Sequence, residues 1–134
     1  MSLAPLLVSA VAVLRERRVL MVTSRGRDVY YMPGGKVDPG ETAAEAAARE
    51  AHEEVALAFD PDALVELFEV RTQAHGEPAG RQVHMRVFRA ATEADPTPSG
   101  EVDAVHWVTT ADAERCPPAG QEVLERLSAL GLID

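Results

Sequence analysis

Glu50, Glu53 and Glu54 stand close together in Thr42–Glu54, a stretch rich in Ala, Glu and Arg. These are good helix formers, and Thr42 with Glu45 three residues later fits a capping box, so the stretch is predicted to be a helix. At helical spacing the three carboxylates fall within an arc of roughly 100°, with Ala44, Ala48, Ala51 and Val55 on the other side. Like charges at i and i+4 destabilise a helix by about 0.2–0.5 kcal/mol, and a bound divalent cation reverses the sign of that interaction. Hard carboxylate oxygens suit Mg²⁺ or Mn²⁺, which keep several waters and are shared with substrate phosphates. Arg49, beside Glu53 on the helix surface, is suited to orient a ligand carboxylate. A solvated acidic face is the plain alternative for three glutamates on a helix. Here, however, Pro33-Gly34-Gly35-Lys36 and Pro39-Gly40-Glu41 lead into that face. Glycines let backbone approach a ligand closely, and amides at a helix start can receive phosphate oxygens.

The rest of the chain must position this helix. Leu6–Leu14 and Val19–Thr23 are short β-branched-rich runs separated by Arg15–Arg18, which reads as a hairpin of largely buried strands. Tyr30–Met32 reads as a further short strand ended by Pro33-Gly34-Gly35. Leu64–Thr72 and Gln82–Ala91 are predicted to be antiparallel strands around a Gly76–Gly80 turn region, the second alternating through Val83, Met85 and Val87. Asp95-Pro96-Thr97-Pro98-Ser99-Gly100 is a loop before a strand at Val102–Val108. Gln121–Leu130 is predicted to be helical, with Val123, Leu124, Leu127 and Leu130 on one face and Gly131 as its stop. Strands, helix, strands, helix argue an α+β fold or mixed-sheet sandwich rather than a regular βαβ array.

The chain has 134 residues, which suggests one domain, residues 1–134, and 46% of them are hydrophobic, enough for a real core. Its formal charge of −9 tells against a duplex nucleic-acid surface, which needs an excess of Lys and Arg. The acid is concentrated: residues 38–62 hold eight acidic and one basic side chain, and residues 93–134 hold nine and two. Cys116 stands alone, so a disulfide framework is excluded, and a reducing, cytoplasmic setting is the simplest expectation. With two prolines after it and only Arg115 as a basic neighbour, Cys116 reads as an ordinary small residue. The apolar start, Leu3–Leu14, lacks a basic leader and is shorter than a membrane span, so no membrane association is expected.

The segment Gly35–Leu57, GKVDPGETAAEAAAREAHEEVAL, resembles the Nudix box. Its pattern is Gly, five residues, Glu, seven residues, Arg-Glu, an apolar residue, any residue, Glu-Glu, any residue, Gly and an apolar residue. Gly35, Glu41, Arg49, Glu50, Ala51, Glu53, Glu54 and Leu57 match in register, and Ala56 stands where the family usually has Gly. A glycine there ends the helix with a left-handed residue, so an Ala is expected to cost on the order of 1 kcal/mol or to shift the helix end. The resemblance implies an α/β/α sandwich around a mixed β-sheet over the whole chain. It also implies hydrolysis of a nucleoside diphosphate linked to another moiety, such as a (d)NTP or modified nucleotide.

Carried over by that resemblance, Glu50, Glu53 and Glu54 would hold Mg²⁺, with Mn²⁺ as a substitute, and Glu50 or Glu53 would also reach the attacking water. Arg49 and Glu101 complete the candidate catalytic set. Glu101 precedes Trp107 by six residues, where the 8-oxo-dGTP pyrophosphohydrolases carry a general base or metal ligand, and Glu93, Asp95 and Asp103 compete for that role. Gly34, Gly35, Lys36, Arg25, Arg27 and Glu41 are the candidate substrate-binding residues. Cys116-Pro117-Pro118-Ala119-Gly120 is similar to the segment that reads the base in those enzymes, but Gly120 offers no side-chain amide. Tyr30, Tyr31, Phe68 and Trp107 are candidates to stack on a base. The four histidines lack zinc-like spacing. The expected partner is a small nucleotide, and the expected assembly a monomer or homodimer. The alternatives are a nucleotide sensor on the same fold without catalysis, which would be expected to lose box carboxylates, and an ADP-ribose or nucleotide-sugar pyrophosphatase.

Overall fold

A computed structural model describes residues 3–134. The first two strands, β1 (Leu6–Arg15) and β2 (Arg18–Ser24), are joined by Glu16 and Arg17, both at positive φ, the backbone of a tight two-residue hairpin turn. The C-terminus clamps this strained turn: Arg17 Nε donates to Asp134 Oδ1 at 2.6 Å and Nη1 donates to the Gly131 carbonyl at 3.0 Å. The hairpin pairs only at Leu14–Val19 and Arg15–Arg18, after which the strands part. Residues between them fill the gap: Val22 and Tyr31 exchange backbone hydrogen bonds, and Val11 N–H donates to the Pro33 carbonyl at 2.9 Å.

Tyr30–Met32 is therefore not the strand expected there. It contributes an isolated bridge at Tyr31, and the strand is β3 (Gly34–Lys36), antiparallel to β1 with Ser9 opposite Gly35 and Ala10 opposite Gly34. The glycines permit this pairing rather than stopping it, because a Cβ on Gly34 would lie 2.7 Å from Ala10 Cα.

Besides two short 3₁₀ helices (Pro61–Ala63 and Thr110–Arg115), the remaining elements are helix α1 (Ala43–Val55), strands β4 (Val65–Gln73), β5 (Gln82–Ala90) and β6 (Val102–Val108), and helix α2 (Pro118–Ala129). The sheet runs β4-β5-β1-β2-β6, with β1 and β5 parallel and the other pairs antiparallel, and β3 lies beside β1 where β2 has departed. It is the mixed sheet of an α/β/α sandwich. Alternation along β1 sends Val11 and Val13 to α1, against Ala47, Ala51 and Val55, and sends Ala10 and Ala12 to the α2 side, against Val123, Leu124 and Leu127. α2 starts earlier than Gln121 because Pro118 suits the first helical turn. It ends as expected at Gly131, φ +75°, where Gly131 and Leu132 donate back to Ser128 and Leu127. No helix among the described residues is long and apolar enough to cross a membrane.

Candidate active site

The splaying of β1 from β2 opens a cleft of about 1270 Å³. Glu50, Glu53 and Glu54 from α1, Glu101 from the loop before β6, Gly34 from β3, and Arg25 and Arg27 from the loop after β2 all line it. Leu6, Val8, Val83 and Met85 form an apolar wall, and Tyr30, Tyr31, Met32, Ala119 and Gly120 are among the other residues that line the cleft. Gly35, Lys36, Glu41 and Arg49 do not line the cleft but stand behind it.

The helix that carries the acids is fixed at both ends. Thr42 and Glu45 form the expected capping box, with Glu45 N–H donating to Thr42 Oγ1 at 3.1 Å and Thr42 N–H donating to Glu45 Oε1 at 2.8 Å. Ala56 adopts φ +58°, ψ +31°, and its N–H donates to the His52 carbonyl, so the helix ends in register despite the missing glycine.

The acidic face is turned largely inward. Arg49 is the hub behind it: its guanidinium grips Glu41 through two hydrogen bonds of 2.7 and 3.0 Å, donates to Glu50 Oε1 at 2.9 Å and to the Lys36 carbonyl at 3.1 Å, and reaches Glu53 at 3.5 Å. The Arg49 hydrogen bond, with a second from the Asp38 amide, holds the Glu41 carboxyl down near pKa 2 from an ordinary 4.5. Gly35 makes room for Glu50, since a Cβ on Gly35 would lie 2.6 Å from the Glu50 carboxyl carbon. The close approach the glycine permits is thus to a glutamate rather than to a ligand. Gly34 N–H points at Glu54 Oε1 at 3.5 Å. Burial, then the hydrogen bond to Glu50 and the Glu50 charge, push the Glu54 carboxyl up to about 9. Glu53 is the most exposed of the three, with 56% of its side chain open to solvent.

The loop carboxylates separate cleanly. Asp95 pairs with Arg15 at 2.9 Å, Asp103 accepts from Thr23 Oγ1 at 3.1 Å, and of the four candidates Glu101 is the one that lines the cleft. Among the aromatics, Tyr30 and Tyr31 line it, whereas Trp107 packs under Arg15 and Phe68 under Arg126. Tyr30 is held on edge and face: its ring stacks on His106 at 4.4 Å and its hydroxyl accepts from Arg115 Nη1 at 2.7 Å. Burial pushes the Cys116 thiol up to about 11, as befits an inert core residue.

The NUDIX domain family matches residues 5–127. The chain belongs to the Nudix family. Folds similar to this Nudix chain include the MutT protein of Methanosarcina mazei Go1, at 23% identity and TM-score 0.75 over 97% of this chain and 99% of that one. A C. elegans Ap4A hydrolase is similar at 21% identity and TM-score 0.70, over 93% and 96%. A bifunctional NMN adenylyltransferase/ADP ribose pyrophosphatase from Francisella tularensis, complexed with AMP and a Mn ion, is similar at 19% identity and TM-score 0.70, over 94% of this chain and 42% of that one. No curated protein matches. Nudix enzymes are pyrophosphohydrolases that generally use a divalent metal, and this chain is a Nudix pyrophosphohydrolase.

The donor set of the Nudix helix suits such a metal. Burial and the neighbouring Glu50 charge disfavour an ionised Glu54, a penalty that a cation would offset, and the more exposed Glu53 is held only by Arg49 at 3.5 Å. Among the described residues, no three acidic, histidine or cysteine side chains are already arranged to hold an ion. Two parts of the cleft lie outside the sequence motifs. Leu6 and Val8 belong to the hairpin of largely buried strands but form a cleft wall, because β2 leaves β1. Ser99 and Gly100 looked like plain loop, yet both line the cleft beside Glu101.

Proposed function

We propose that this Nudix enzyme cleaves the pyrophosphate linkage of nucleoside triphosphates or modified nucleotides with Mg²⁺, Mn²⁺ serving in its place. The observation that carries this reading is one cleft lined by both kinds of group such a substrate needs. Four carboxylates and two arginines line it together with Tyr30, Tyr31, Met32 and Ala119. A diphosphate joined to a planar base calls for the same combination.

Glu50, Glu53 and Glu54 would hold the cation, which when bound neutralises phosphate oxygens and makes water a stronger nucleophile. Arg49 keeps Glu50 in place and neutralises part of the acidic cluster. Arg25 and Arg27 line the cleft and make no ion pair with any described residue, Arg27 Nη1 only reaching the Tyr31 hydroxyl at 3.5 Å, so their guanidinium groups are available for phosphate oxygens. Glu101 faces the same space and accepts the proton of the attacking water. The base packs between the tyrosines and the first turn of α2, where Gly120 leaves recognition to shape and backbone rather than to a side-chain amide.

The test is release of phosphate or pyrophosphate from a panel of nucleoside triphosphates, oxidised dNTPs, nucleotide sugars, ADP-ribose and dinucleotides in the presence of Mg²⁺. Turnover is expected for triphosphates, falling by about 100-fold or more in Glu53→Gln and in Glu54→Gln. Unchanged turnover in both variants defeats the site assignment, and preferred cleavage of ADP-ribose or a nucleotide sugar defeats the substrate class.

A further inference from the structure

The loop 96–101 is bound to the end of the acidic helix more tightly than a connecting loop requires. A helix leaves its last four carbonyls without helical partners. In α1 the last helical bond runs from Ala56 N–H to the His52 carbonyl; beyond it, Thr97 N–H meets the Val55 carbonyl at 2.9 Å and Ser99 N–H meets the Glu54 carbonyl at 3.0 Å. A third end carbonyl, on Glu53, faces Gly100: a Cβ there would lie 3.1 Å from that carbonyl oxygen, and Gly100 also sits at φ +60°. The sequence Pro96-Thr97-Pro98-Ser99 matches this use residue by residue. Thr97 and Ser99 have the N–H groups that reach the helix, while the alternate positions are prolines, which have none to satisfy and preset an extended backbone. Beyond the loop, the Glu101 carbonyl accepts from Arg25 N–H at 2.9 Å, so Glu101 is fastened on both sides.

We infer that Pro96–Gly100 is a strap that sets the distance between Glu101 and the Nudix glutamates, with Gly100 as its positioning residue. The inference rests on the proposed role of Glu101 in the reaction. Gly100 has no side chain with which to act on a substrate or cation, and works through the placement of Glu101. Its lack of a side chain lets the strap lie against the Glu53 carbonyl, and any larger residue lifts Glu101 by the few tenths of an ångström that the contact demands. Misplacement of a reacting group by as little as about 1 Å can cost roughly 100-fold in rate.

The test is a double-mutant cycle of Gly100→Ala and Glu101→Gln, with kcat, KM and Tm measured for each. Gly131→Ala is the control for placing an alanine at positive φ, since Gly131 has φ +75°, open space around it and no part in the cleft. Gly100→Ala is expected to lower kcat about 3- to 10-fold with KM within about twofold. In the Glu101→Gln background it is expected to change kcat by less than about twofold, because the group it positions is already gone. Should Gly100→Ala not fold, Pro96→Ala/Pro98→Ala loosens the strap without adding an atom near Glu53 and enters the same cycle. An equal loss in both backgrounds, or a loss no larger than that of Gly131→Ala, overturns the strap. An unchanged kcat in Glu101→Gln alone overturns the role of Glu101 and the inference built on it.

Discussion

Arg49 contributes geometry to the site rather than charge alone. Its planar fork meets both oxygens of Glu41 and still reaches Glu50 and the Lys36 carbonyl, which ties α1, the loop before it and β3 into one rigid support behind the cleft. A lysine would keep the charge but could hold only one or two of these partners. Arg49→Lys is therefore expected to lower kcat by about 10- to 100-fold, the usual effect of losing a group that orients a ligand carboxylate, with KM little changed. Steady-state kinetics test this, and wild-type kcat in Arg49→Lys would show that charge is sufficient. Glu41 belongs to the same support. The box spacing singles it out for substrate binding, but its oxygens are already occupied by Arg49 and by the Asp38 amide, at 2.8 Å for the latter.

At the scale of single elements, the helix α1 was legible in the sequence because its cap and its acidic face are local features. Thr42 and Glu45 are three residues apart, and the glutamate arc follows from helical periodicity. What was not legible depends on partners distant in sequence: β3 exists only because β1 leaves β2, and the strap matters only because the helix end lies beneath it. Ala56 lies between the two cases. The expected strain is present, since a non-glycine residue sits at φ +58°, and the helix end does not shift. The strap explains why, because it meets the Val55 and Glu54 carbonyls and holds the end in place. Relief of left-handed strain is worth about 1–2 kcal/mol, while a glycine adds unfolded-state entropy worth roughly 0.5–1 kcal/mol. Ala56→Gly should therefore stabilise the protein by about 0.5–1 kcal/mol, read as a Tm rise of about 2–4 °C. An unchanged or lower Tm would mean the strap already absorbs the strain.

Across the whole molecule, the charge of −9 is a cost that the fold concentrates rather than disperses. Six of the acids lie between Asp38 and Glu54, and three of those face one cleft with Glu101. A composition count could show the excess, and the box spacing could place three of the carboxylates on one helix face, but only the folded chain brings Glu101 to them from 47 residues beyond Glu54. Burial and the neighbouring Glu50 charge favour a protonated Glu54, which relieves part of the repulsion. Glu54 titrates near 9 in the folded chain against an ordinary 4.5, so its protonated form favours folding. That contribution is fully present below about pH 4.5 and is lost as pH rises through about 9. A divalent cation needs the deprotonated carboxylates, so it competes with the proton and gains ground over the same window. Mg²⁺ is thus expected to raise Tm more at pH 8.5 than at pH 6. Saturation at about 100 times Kd corresponds to about 2.7 kcal/mol of added stability. Thermal melts with EDTA and with Mg²⁺ at the two pH values test this directly. A larger Mg²⁺ shift at pH 6, or the same shift in a Glu54→Gln variant at both, would separate the proton from the cation site.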